Sequence, residues 1–114
     1  MAQTTRMLTA AGAGTVNSTD GGQLGATNGV LKAQRVKDKS GLFQASMNAG
    51  QTVTLTLYGR SDPTAPWATV ATITNVEMGA DLTFTKAVVI FPEMYVKSVQ
   101  SAGAAPAIEA WITE

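Results

Sequence analysis

Few side chains in this sequence are equipped for chemistry. Its 114 residues include no histidine and no cysteine, which removes the commonest general base, the commonest transition-metal ligand and every thiolate. Ser61 and Asp62 stand together before Pro63. A serine nucleophile there needs a lysine base, which no local arrangement supplies, and an aspartate ahead of a proline is first of all a turn residue. Glu77, Asp81 and Glu93 are the carboxylates to weigh for glycoside hydrolysis or calcium. Their spacing matches no oxygen-rich calcium loop. Gly12, Gly14, Gly21 and Gly22 lack the lysine-serine ending and the strand-to-helix setting of a phosphate loop. The expectation is a non-enzymatic protein with no catalytic residue, no metal and no cofactor.

Binding is the remaining use for the reactive-looking residues. Tyr58, Trp67, Tyr95 and Trp111 are of the type that lines a sugar-binding platform, which requires two or three coplanar exposed rings. The plainer expectation puts Trp67 in the core, plugging one end of it, with the tyrosines as half-buried packing residues. Trp111 falls on the polar face of the last strand, where an aromatic side chain marks a protein contact. Lys32, Arg35, Lys37 and Lys39 hold half of the eight basic residues; such a cluster is either a solvated face or the partner of an acidic surface.

The elements that must position these residues are strands. From Gln51 to Tyr58, Val53, Leu55 and Leu57 alternate with Thr52, Thr54, Thr56 and Tyr58, the period-two pattern of a half-buried strand. Gly59, Asp62, Pro63 and Pro66 then make a loop, and Trp67–Thr74 returns as the second arm of an antiparallel hairpin. Further strands are expected over residues 30–36, 42–47, 82–91, 94–100 and 107–113. The apolar run Ala87–Phe91 predicts a second half of its strand buried on both sides, in mid-sheet, and Ile108, Ala110 and Ile112 are expected to face inward opposite Glu109, Trp111 and Thr113. About eight strands with no convincing helix predict an all-β, antiparallel β-sandwich, jelly-roll or immunoglobulin-like. Residues 1–29, rich in glycine and poor in charge, read as a flexible N-terminal arm or long loop with a short edge strand near Arg6–Ala10, and residues 30–114 as the sandwich domain.

Composition narrows the setting. Charged residues are 14% of the chain against a usual proportion of about 25%, and eight basic residues balance eight acidic ones. A neutral chain lacks the general attraction that nucleic acid or an anionic membrane requires, so neither is an expected partner. The N-terminal stretch has no apolar run of signal-peptide length, which predicts synthesis in the cytosol of the producing cell. A surface of small neutral groups suits packing against another protein.

The patterns TLTLYGRSDPTAPWATVATIT and VVIFPEMYVKSVQSAG, with the final strand AIEAWITE, resemble small β-sandwich virion proteins of tailed bacteriophages, of the capsid decoration or cement type. The resemblance covers roughly residues 51–114. It implies a homo-oligomer, a trimer for preference, that sits on the outer surface of the head and clamps neighbouring major capsid subunits. In that setting the arm from Thr4 to Gly29 lies on a capsid neighbour, with Arg6, Met7 and Leu8 as contact residues. Lys32, Arg35, Lys37 and Lys39 meet acidic capsid surface, and Trp111 is an anchor in the oligomer or against the shell. A tail, neck or head-fibre component and a carbohydrate-binding module for host attachment are the alternatives.

Overall fold

Alternating apolar residues build two antiparallel sheets. The structure, a computed structural model, describes residues 4–10, 14–17, 31–32, 40–47, 52–100 and 108–114. Nine strands lie among them: β1 (Thr4–Ala10), β2 (Gly14–Asn17), β3 (Leu31–Lys32), β4 (Ser40–Met47), β5 (Val53–Arg60), β6 (Ala68–Thr74), β7 (Thr83–Val89), β8 (Glu93–Gln100) and β9 (Ile108–Thr113). One sheet has the order β1-β9-β4-β7 and the other β2-β8-β5-β6, with β3 also paired to β8. The result is mostly antiparallel β, compatible with an all-β sandwich.

The pairings nest. β5 pairs with β6, β4 with β7, β2 with β8 and β1 with β9. The chain is thus one long antiparallel ribbon whose successive pairs go alternately to the two sheets, with β4–β9 and β5–β8 contacts joining neighbouring pairs within each sheet. Val53, Leu55 and Leu57 of β5, Phe43 and Ala45 of β4, Met94 and Val96 of β8 and Ile108, Ala110 and Ile112 of β9 are fully buried in one cluster. Full burial of each larger aliphatic or aromatic side chain contributes about 1.5–3 kcal/mol. Gly41 is needed where β4 passes β9, because a Cβ there would run into the Thr113 carbonyl oxygen and the Ile90 side chain.

Several expectations change. Thr4–Ala10 is a full strand paired along β9, and Gly14–Asn17 pairs with β8, so these parts of the expected arm belong to the sheets; residues 11–13 and 18–29 lie outside the described residues. Met7 and Leu8 are both fully buried. A bulge between Arg6 and Leu8 lets two successive residues turn inward, which makes them core rather than contact residues. The strand expected over residues 30–36 is described only at Leu31–Lys32.

β7 is an edge strand, not a central one. Val89 is 60% exposed and Ala87 also faces solvent, so its apolar run is buried on one side alone. The break after Thr74 is a short helix, α1 (Asn75–Met78), where Thr74 and Glu77 form a reciprocal capping box. A 3-10 turn follows over Gly79–Asp81. Lys86 closes the open side of the sandwich: from edge strand β7 its Nζ donates to the Thr72 carbonyl oxygen of edge strand β6 at 2.6 Å and pairs with Glu77 at 3.1 Å.

Candidate functional site

Among the described residues, the outer face of the β2-β8-β5-β6 sheet carries the densest set of polar and aromatic contacts. Tyr58 lies opposite Tyr95, and Arg60 opposite Glu93, on the paired strands β5 and β8. Directly opposed residues of an antiparallel pair are close enough for side-chain contact. The two tyrosine rings stack at 4.8 Å with an interplanar angle of 16°. Arg60 Nε donates to Glu93 Oε1 at 2.7 Å. Trp67 meets Tyr95 edge-on at 4.7 Å, and the Arg60 guanidinium stands 4.2 Å from the Trp67 ring centre.

Trp67 was expected in the core. A bulge in β6 opposite Leu57 and Tyr58 adds one residue between Ala71 and Thr69, so counting back by twos from buried Ile73 leads to the wrong face. Trp67 is half-buried on the outside instead. Burial raises the Tyr95 pKa, and neighbouring Tyr58 adds to the effect.

This cluster is the neck of the loop that joins β5 to β6. Beyond it Ser61, Asp62, Pro63 and Thr64 are exposed, as is Pro66. Asp62 Oδ1 accepts three hydrogen bonds, from Thr64 N at 2.8 Å, Thr64 Oγ1 at 2.6 Å and Ala65 N at 3.1 Å. The Ala65 amide also reaches the Asp62 carbonyl oxygen at 3.1 Å. The Thr64 hydroxyl, followed by the Thr64 amide, lowers the Asp62 pKa. The carboxylate that looked like a nucleophile's neighbour is an internal brace for a turn.

The other carboxylates are likewise occupied or apart. Glu93 is held by Arg60 and Glu77 by Lys86, while Asp81 is exposed in the 3-10 turn. No three carboxylates among the described residues gather in a way that holds a metal ion.

The outer face of the β1-β9-β4-β7 sheet is different. One row runs Arg6, Trp111, Gln44, Thr85 and the next Thr4, Thr113, Leu42, Ala87. Trp111 lies half-buried on this face. Arg6 pairs with Glu109 at 3.3 Å; among the described residues no other charge stands on the strands of this outer face. Leu42 is 45% exposed. Lys32 belongs to β3, and Arg35, Lys37 and Lys39 lie outside the described residues.

Of the four aromatic residues singled out as a platform, the fold brings Tyr58, Tyr95 and Trp67 together and puts Trp111 on the opposite sheet. The Arg60–Glu93 pair was missed, although the spacing carries a signal. Tyr58-x-Arg60 and Glu93-x-Tyr95 put like-spaced, complementary side chains on one face of each strand, and antiparallel pairing matches them. In comparisons with protein-family models, curated proteins and solved structures, nothing matches this chain.

Proposed function

We propose that this protein is a non-enzymatic capsid decoration protein of a tailed bacteriophage, bound to the outer surface of the assembled head and stabilising contacts between major capsid subunits. The observation that carries the reading is the outer face of the β1-β9-β4-β7 sheet. Among the described residues it is built of threonine, serine, Gln44 and apolar residues such as Leu42 around Trp111, and the Arg6–Glu109 pair on it neutralises its own charge. Burying such a face against protein costs little desolvation. Binding assembled shells in preference to free subunits then adds free energy to the assembled state by mass action.

The strand order supports the jelly-roll form of the sandwich over the immunoglobulin-like one. Nested pairs alternating between sheets are what a rolled-up antiparallel ribbon produces, whereas the immunoglobulin order keeps its first two strands side by side. Jelly rolls serve in capsids and in lectins alike, so fold alone does not choose between them. The aromatic geometry favours the protein contact. Tyr58 and Tyr95 turn their faces to each other and Arg60 covers a face of Trp67, which leaves no flat shelf of coplanar rings in this cluster for a sugar.

In this reading the protein acts as a homo-oligomer in the virion, and the Lys32–Lys39 cluster faces acidic capsid surface. The test is cryo-electron microscopy and quantitative mass spectrometry of intact particles of the phage that encodes it. The expected result is hundreds of copies in a regular lattice on the head. Density confined to the tail or neck, or absence from the particle, overturns it.

A further inference from the structure

We propose that the exposed tip of the β5–β6 loop, residues 61–66, is the element this protein inserts into a basic recess of its protein partner, with Asp62 as the anchoring carboxylate. The inference rests on the reading above, that the partner is the assembled shell. Three features of the tip carry it.

The first is rigidity at the neck. Arg60 and Trp67 flank the loop on either side, and they are in contact with each other at 4.2 Å, while Arg60 is also bound to Glu93 on a third strand. Both ends of the loop are therefore fixed to the sheet. The second is order at the tip, where three donors converge on Asp62 Oδ1 and two prolines restrict the backbone. A loop held this way has little conformational entropy left to lose on binding, which is the cost that weakens recognition by flexible loops.

The third feature is what the tip offers. All three side-chain bonds of Asp62 use one oxygen, and among the described residues Oδ2 makes no hydrogen bond. Donation by the Thr64 hydroxyl favours the ionised form, so a fixed anionic acceptor projects from a charge-poor surface. Pro63 and Pro66, which follow it in the tip, have no N–H to give. A surface that presents an oriented carboxylate oxygen without flanking proline donors is complementary to a guanidinium or ammonium group in a recess.

The test compares cosedimentation of wild-type protein, Asp62→Asn and Ser61→Lys with assembled heads from which the native copies are missing, at low and moderate salt. Asparagine keeps the Oδ1 acceptor and the turn but removes the charge. Ser61→Lys leaves the turn intact and puts a cation beside it. Both variants are expected to bind heads at least about tenfold more weakly than wild type, with a shallower salt dependence, because asparagine removes the anionic charge and the lysine cation offsets it and is repelled by a basic recess. Their melting temperatures and the amide-exchange rates of Thr64 and Ala65, whose N–H groups close the turn, are expected to match those of the wild type. Wild-type binding with both variants equal to it overturns this inference and leaves the capsid reading standing. Failure of the wild-type protein to bind heads overturns both.

Discussion

Arg60→Met probes the neck of the β5–β6 loop. Methionine keeps much of the aliphatic stem but removes the guanidinium, and with it the 2.7 Å bond to Glu93 and the contact with Trp67. The Glu93 side chain is only 10% exposed and that of Arg60 22%, so water replaces the lost bond poorly. A hydrogen bond to a charged group contributes about 1.5–3 kcal/mol, and a partly desolvated cation–aromatic contact about 0.5–2 kcal/mol. Allowing for the residual exposure, the expected loss is about 2–3 kcal/mol. An unfolding entropy of about 2.1 cal/mol/K per residue converts this to a fall in melting temperature of about 8–12 °C. Urea unfolding followed by far-ultraviolet circular dichroism measures the free energy directly, and the double variant Arg60→Met/Glu93→Gln supplies the control. Removing the second charge is expected to return about 1 kcal/mol or more, since the stranded carboxylate is part of the cost. An Arg60→Met protein that melts within about 2 °C of wild type, or a double variant no more stable than the single one, would refute the view of this cluster as a buried clamp.

Three further outcomes follow from particular contacts. Lys86→Met is expected to lose about 1 kcal/mol, after discounting for a side chain 34% exposed, and to flatten the acid side of the stability profile. The bond from Lys86 is the chief cause that lowers the Glu77 pKa. A carboxylate depressed in the folded state contributes stability above its ordinary pKa and loses it as pH falls through the folded value, so chemical unfolding between neutral pH and pH about 3 reads the difference. Gly41→Ala is expected to destabilise by several kcal/mol or to prevent folding, because the added methyl meets the Thr113 backbone oxygen, which cannot move aside, as well as the buried Ile90 side chain; a well-folded variant by circular dichroism counts against the described β4–β9 approach. Spectrophotometric titration should show a tyrosine ionising above the ordinary value of 10.0, and Tyr95→Phe should remove it. That group's contribution to stability is complete below the unfolded pKa and lost as pH rises through the folded one.

The residues by themselves determined whatever depends on local alternation. Val53, Leu55 and Leu57 alternate with threonines, and β5 has that face buried; Ile108, Ala110 and Ile112 point inward as their spacing requires. The hairpin loop at Asp62–Pro66 was equally legible, because prolines and an aspartate act on the backbone within a few residues. Tertiary structure decided what alternation cannot carry. Bulges in β1 and β6 shift the period by one residue, sending Met7 and Leu8 inward together and Trp67 outward, and nothing in a single strand announces a bulge set by its partner. The Arg60–Glu93 and Tyr58–Tyr95 pairs depend on a register between segments more than thirty residues apart. β7 is an edge rather than a centre because the chain ends its fourth sheet position there, and an apolar strand reads the same in either place until its neighbours are known. Strand β1 pairs with β9 across nearly the whole length of the chain, so its place in the sheet is a property of the closed fold and not of the seven residues that form it.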